Sequence, residues 1–344
     1  MKEKNKIVIT LIFLTVIVFI TYVNLMLSHN DKGKMQTTFM TNNSTMLIMY
    51  NDMNDRTNYV IIDLITMEEK EILEVDIFGF PNSYLSHDKQ FLYFTYTTYI
   101  TEWESHLIRT NININDNYDW VYFDTPGLYV NDIEIHNDKI FMKVVQLDNP
   151  YRRNFNIAVY DINTKEINLW NKEEFDLSIW KFDYNPYTQK LYGVERSESG
   201  IRKAQPPKLP TYRIVEFDKD GNRLEELLEI KMSIDSISVS KDGKYGIFSG
   251  STHSYNDIFI INFEDGTIKR ILEGNSTNLV KWPIFSPDEK GFYYLAITSD
   301  SKILKDDTGQ YMTRGVYYYD FETKEAKLIF MKDDGIVLNF EVIE

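Results

Sequence analysis

The chain has 344 residues, with 52 acidic against 37 basic side chains, a formal charge of −15 and no cysteine. That charge disfavours a nucleic-acid partner and attachment of the body to anionic lipid; the missing cysteine excludes disulfides, thiolate metal sites, a cysteine nucleophile and lipid attachment through an N-terminal cysteine. Aromatics at 15% with only four alanines argue against a helical body, because Tyr and Phe favour strands and Ala favours helices.

After six residues the chain enters Ile7 to Leu27, 21 residues without a charge, of which 16 are Ile, Val, Leu, Phe or Met. At 1.5 Å per residue such a helix is roughly 31 Å long, the thickness of a bilayer's hydrocarbon core. The segment predicts a single-pass anchor. A cleaved signal peptide and a buried helix are the competing readings, but the apolar run exceeds a signal h-region and the first alanine of the chain is Ala158. Lys2, Lys4 and Lys6 precede it and Lys32 and Lys34 follow, so the positive-inside bias is small. The expected arrangement is a cytoplasmic 1–6, an anchor 7–27, a stalk 28–36 and an extracytoplasmic body 37–344 at the cell membrane. Six residues leave no room for a cytoplasmic output domain, so the helix reads as a tether and not as part of a sensor.

From about Thr37 the sequence consists of short apolar runs of period two separated by turn residues, the pattern of strands. Six runs share one form, an alternating strand, a polar turn and a second short strand: Asn58 to Leu73, Glu104 to Trp120, Asn156 to Trp170, Tyr212 to Leu228, Asp257 to Leu272 and Gly315 to Phe330. Five are preceded by a hairpin whose second strand is aromatic: Tyr84 to Tyr96, Ile133 to Val145, Phe182 to Val194, Ile237 to Gly250 and Pro283 to Ala296. Taking Asp63, Arg109, Asp161, Asp218, Asn262 and Asp320 as equivalent gives spacings of 46, 52, 57, 44 and 58 residues. These suit a four-stranded propeller blade. An all-β, six-bladed β-propeller is therefore expected, a pair of β-sandwiches being the alternative. Ile336 to Glu344 would complete the first blade and close the ring, removing a free sheet edge; Thr37 to Met40 competes for that place.

The turns Ser286-Pro287-Asp288-Glu289-Lys290 and Ser240-Lys241-Asp242-Gly243-Lys244, each before an aromatic strand, resemble the S-P-D-G-K turn of TolB-like β-propeller repeats. Ser86-His87-Asp88-Lys89 fits more loosely, and Asn137-Asp138-Lys139 and Asn185-Pro186-Tyr187 depart from it. With their following hairpins these repeats cover most of Thr45 to Glu344. The resemblance implies a scaffold with a tendency to bind proteins, and no particular chemistry.

No motif for chemistry emerges. Gly250-Ser251-Thr252-His253-Ser254 lacks the strand-to-helix setting of a hydrolase elbow. Five scattered histidines form no H-x-x-x-H pair, and the acidic string Glu216 to Asn222 has Leu227 where a calcium loop needs its bidentate acid. Asp220-Gly221 is a hairpin turn instead. No cofactor, metal or catalytic residue is expected. Carboxylates gathered at a central funnel from distant blades would escape any reading by spacing, and they leave a tethered hydrolase or lyase acting on glycan or peptide as the alternative function.

Loop length gives the functional signal, because the connections from second to third strand and from blade to blade share one face of a propeller. The loops there include Ser197 to Thr211 and Ser299 to Arg314, both long and rich in basic residues. Arg152, Arg153, Arg202, Lys203, Lys208, Lys302, Lys305 and Arg314 form a candidate cationic rim, with Trp103 as a candidate exposed aromatic, core packing being its equal rival, and His253 on the same face; a solvated loop set is the plainer reading. The leading expectation is a non-catalytic module binding a protein, peptide or envelope polymer through this long-loop face.

Overall fold

The computed structural model describes residues 44–344 except 53–55, 76–81, 99–103, 114–117, 122–127, 148–153, 171–175, 205–207, 253 and 306–308. The expected anchor Ile7 to Leu27, the stalk and the competing strand Thr37 to Met40 lie outside the described residues. Among the described residues no helix is long and apolar enough to cross a membrane.

Six four-stranded antiparallel sheets form the blades of a propeller. The first contains β1 (Thr45–Asp52), β2 (Thr57–Asp63) and β3 (Glu69–Val75); the second β4 (Ser83–Leu85), β5 (Phe91–Thr98), β6 (Glu104–Asn111) and β7 (Tyr118–Val121). The third contains β8 (Leu128–His136), β9 (Lys139–Gln146), β10 (Phe155–Asp161) and β11 (Ile167–Leu169). The fourth has β12 (Leu177–Asn185), β13 (Lys190–Ser197), β14 (Tyr212–Phe217) and β15 (Arg223–Ile230), with a short helix α1 (Glu198–Lys203) in its long loop. The fifth has β16 (Ser233–Val239), β17 (Tyr245–Ser251), β18 (Asp257–Asn262) and β19 (Ile268–Leu272). The sixth is built from β20 (Leu279–Phe285), β21 (Gly291–Ile297), β24 (Gly315–Asp320) and β25 (Ala326–Met331), and its long loop carries a separate hairpin, β22 (Ile303–Lys305) with β23 (Gln310–Met312). The last strand, β26 (Gly335–Ile343), pairs with β1 and is the innermost strand of the first blade. All eleven expected hairpins and the closure by the last strand are present.

The local chemistry of the turns explains the repeat. In the S-x-D turns the Ser240 hydroxyl donates to Asp242 Oδ1 at 2.8 Å and accepts from the Tyr245 N–H at 2.9 Å; Ser286 with Asp288 and Gly291, and Ser86 with Asp88 and Phe91, repeat the arrangement. In the outer hairpins Asp63, Asp161 and Asp320 each accept the two N–H groups two and three residues on, which closes the turn without help from outside. Between blades the core is aromatic: Phe141 stacks on Tyr184 with centroids 4.2 Å apart, and Tyr192 on Phe263 at 5.8 Å.

Five of the innermost strands share a defect that the sequence pattern conceals. Register slips between Val130 and Asp132, Ile179 and Lys181, Ile234 and Ser236, Lys281 and Ile284, and, on β26, between Val337 and Asn339. Each is a β-bulge, which adds unpaired residues, breaks the two-residue alternation and re-aims side chains near it. The innermost strands therefore begin several residues earlier than the alternation predicts.

Candidate functional site

The six innermost strands surround an axial cavity of about 940 Å³. Pairing with the second strands sorts its lining into rings. One ring contains Glu341, Tyr84, Glu134, Asp183, Ser238 and Ile284, paired with Leu47, Tyr93, Phe141, Tyr192, Ile247 and Tyr293. Two residues further along the second strands, and so earlier along the innermost ones, lies another: Asn339, Asp132, Lys181, Ser236 and Lys281, with Asn82 just before β4. Because every innermost strand runs from the long-loop face toward the short-turn face, the ring with the lysines is nearer the long loops. The ring with three carboxyls is the deeper one.

In the outer ring, charges are shared unevenly. Asp132 receives Lys181 Nζ at 2.9 Å and stands 3.8 Å from Lys143 Nζ, so one carboxylate faces two ammoniums. Lys143, on β9 behind the ring, is almost wholly buried; it donates to the Trp180 carbonyl at 3.1 Å and lies over the Phe155 and Trp180 rings. Burial raises the Asp132 carboxyl, but Lys181 and Lys143 outweigh it and hold it below the usual range. Burial pushes Lys143 down to about 7, and Lys181 adds to the effect. Lys281 falls to about 8, through burial first and Arg314 second.

The deeper ring has the opposite character. Glu134 accepts the Tyr184 N–H at 2.9 Å, and at the equivalent place one blade on Asp183 accepts the Val239 N–H at 2.8 Å. These bonds stitch blade three to four and four to five. Burial nevertheless lifts Glu134 to about 8, and burial with the Glu134 charge lifts Asp183 to about 8. Glu341 is raised well above its ordinary value by burial and then by Glu134. His136, 3.6 Å from Glu134 and packed against Tyr184, is pushed down to about 4 by burial and is neutral at pH 7.

A pH dependence follows, with a sign opposite to that of an ordinary salt-bridged acid. Folded Glu134 keeps its proton to about pH 8, whereas the unfolded chain releases it near 4.5; stability from this group is complete below 4.5 and lost as pH rises through 8. Glu134→Gln keeps an acceptor for the Tyr184 N–H. It is expected to change stability by less than about 1 kcal/mol at pH 5 and to raise it by about 1–3 kcal/mol at pH 8.5, a discount on about 1.4 kcal/mol per pH unit for solvent screening. Urea unfolding of both proteins at the two pH values checks this, and the difference between them cancels the opposing slopes of His136, Lys143 and Lys281.

At the short-turn mouth a polar strap links four blades. Lys241 Nζ meets Glu344 at 2.7 Å and the Pro287 carbonyl at 2.6 Å, its N–H donates to Glu289 at 2.5 Å, and Tyr187 donates to Glu344. Lys241, Glu289, Tyr187 and Glu344 are thus engaged with each other, while the long-loop end presents Lys281 and Arg314.

The residues expected at the rim separate. Arg314, immediately before β24, lines the axial cavity. Arg202 and Lys203 are exposed on α1, and Lys203 and Lys208 line a second cavity of about 270 Å³ beside Arg196 and Arg213. Lys302 is paired with Asp333 and Lys305 is exposed on β22. Trp103, Arg152, Arg153 and His253 lie outside the described residues. Asp132, Glu134, Lys143, Lys181, Asp183, Lys281 and Glu341 were not singled out by sequence. Among the described residues no group of three or more His, Cys, Asp or Glu side chains is placed to hold a metal ion.

No protein-family model matches the chain. Among curated proteins it is similar to the uncharacterized protein YdjN of Bacillus subtilis (strain 168), 27% identical over 184 residues, which are 49% of this chain and 52% of that one. The match thus spans about half the length of the curated relative. Among solved structures it is similar to a chain of the nidogen/laminin complex (TM-score 0.59, 13% identity, 87% of this chain and 98% of that chain) and to TolB from Acinetobacter baumannii (0.58, 12%, 87% and 66%). An oligogalacturonate lyase in complex with manganese is similar at a TM-score of 0.51 and 14% identity, over 83% of this chain and 72% of that one. At such identities the likeness is one of fold: an all-β, six-bladed propeller with TolB proteins among its structural neighbours.

Proposed function

We propose that this chain is a membrane-tethered, extracytoplasmic propeller that binds a protein, peptide or envelope polymer without catalysis, admitting a segment of it to the axial channel from the long-loop face. The observation that supports this reading is the channel itself, about 940 Å³, lined by all six innermost strands and zoned into an outer ring with cations and a deeper ring of carboxyls. A preformed cavity with a few convergent charged groups is the usual form of a binding site. The nidogen/laminin and TolB likenesses agree with a binding role by analogy of fold. Tethering rests on the uncharged Ile7 to Leu27.

The test is cross-linking at the cell surface, comparing the intact protein with one in which Ser197 to Thr211 is replaced by a two-residue turn. Capture is expected to fall at least tenfold with the unfolding midpoint unchanged; undiminished capture would remove the long loop from the site.

The alternative is a hydrolase or lyase acting on glycan or peptide. One observation favours it: Glu134 and Asp183, both raised to about 8, hold protons at neutral pH as a general acid must. Incubation with isolated envelope glycan and peptide distinguishes the two. New chain ends that disappear with Glu134→Gln would replace the binding reading with the enzymatic one.

A further inference from the structure

The long-loop end of the channel holds two cations that no ion pair among the described residues engages. Lys181 is neutralised by Asp132 at 2.9 Å. Lys281, in the same ring, and Arg314, from the long-loop end of the same blade, both line the cavity, and among the described residues neither has a carboxylate within ion-pair distance. The acid whose charge acts on Lys281 is Asp235, whose carboxylate accepts the Asn256 side-chain amide at 2.5 Å. Two like charges that line one cavity and are both largely buried repel each other and have lost hydration, and an anion placed between them reverses both penalties. Each lowers or is lowered accordingly: burial depresses Arg314, and burial with Arg314 depresses Lys281.

Backbone geometry at the same place points the same way. Trp282 adopts φ 54°, a left-handed conformation that a bulky side chain avoids, and it does so directly before Pro283. The strain is held by the bulge of β20 and by the Trp282 N–H, which donates to Ser249 Oγ at 3.2 Å. Its effect is to lay the indole beneath Lys281, whose ammonium lies 4.1 Å over the ring. That contact fixes the lysine in the channel without spending its charge on a carboxylate. Strain of this kind persists where the surroundings over-determine it, often at ligand sites.

We propose that Lys281 and Arg314 form an oxyanion subsite, taking a carboxylate or phosphate group of a ligand that enters from the long-loop face, with Trp282 as the platform that positions Lys281. Arg314 supplies a planar fork for two oxygens and Lys281 a point charge beside it. The subsite deepens the binding reading given above and rests on it for the natural ligand, but its anion affinity is a property of the channel alone.

The experiment is calorimetric titration of the full chain with inorganic phosphate and, in a separate arm, with acetate, both at constant ionic strength set by sodium chloride. Saturable one-site binding in at least one arm is expected, weakened at least tenfold in both Lys281→Met and Arg314→Met, and unchanged in Lys305→Met on the outlying hairpin. Lys281→Arg, which keeps the charge, is expected to retain binding and guards against a folding defect. Saturation by phosphate alone assigns a phosphate-bearing ligand, and saturation by acetate a carboxylate-bearing one. Failure of both anions to saturate, or equal binding by wild type and both Met variants, would overturn the proposal. Surface cross-linking with Lys281→Met separates the two levels: undiminished capture alongside failed titration removes the subsite and leaves the binding module standing.

Discussion

A chain lacking residues 335–344 is expected to lose its cooperative unfolding transition and to self-associate. Those residues contain β26, which pairs with β1 from Thr45 to Asp52 and places Val337, Leu338, Phe340 and Ile343 in the core, none more than 6% exposed. Burial of each contributes about 1.5–3 kcal/mol, so four together match the roughly 5–15 kcal/mol by which a domain is stable. The loss is also topological. Without β26 the first blade has three strands, β1 becomes an apolar edge, and such edges recruit other chains. Urea unfolding with gel filtration tests this; a monomer with a cooperative transition within about 1 kcal/mol of the intact protein would contradict it. The same strand supplies Asn339 and Glu341 to the channel, so closure of the ring and completion of the site are one event.

Asp132→Ala is expected to cost about 3–5 kcal/mol, the penalty for leaving buried charge without its partner. The carboxylate stands 2.9 Å from Lys181 and 3.8 Å from Lys143, and Lys143 is 1% exposed among Phe155, Trp180 and the Trp180 carbonyl. Removing the acid leaves Lys143 to deprotonate or draw in water. The second half of the prediction identifies the mechanism: Lys143→Met on the Asp132→Ala background should recover more than half of the loss, because an apolar side chain of similar length suits that aromatic setting. A double mutant no more stable than Asp132→Ala would show that packing around Asp132, and not the orphaned charge, sets the cost.

The hairpins were legible because turns and alternation are local. Asp63, Asp161 and Asp320 close their turns with their own downstream N–H groups, so the signal for each outer hairpin lies within a few residues. Closure by Ile336 to Glu344 was legible as an alternating strand with no partner beside it. The site was not. Alternation places the starts of four innermost strands at Ile133, Phe182, Ile237 and Pro283, whereas the strands begin at Leu128, Leu177, Ser233 and Leu279. The bulges account for the difference, since an added residue inverts the pattern, and they conceal the region where Asp132, Lys181, Asp235 and Lys281 lie.

Convergence of Glu134, Asp183 and Glu341 has a different cause. They are 49 and 158 residues apart along the chain and meet only because the ring closes. Loop composition pointed to basic residues, but Lys302 is occupied by Asp333 and Arg202 and Lys203 sit on α1; of the described basic residues named for the rim, Arg314 reaches the axial channel. A charge pattern in a loop says which residues are cationic, and only the backbone path says where they point.

The central claim is that the axial channel holds the ligand. Filling it is the most direct test: Asn339→Trp puts an indole into the outer ring from a strand paired with β1, at the loss of one long hydrogen bond from the Asn339 amide to Glu341 at 3.5 Å. With the urea unfolding midpoint unchanged, surface cross-linking by this variant is predicted to fall at least tenfold. Capture equal to that of the unmodified protein, with the channel filled, would contradict the account.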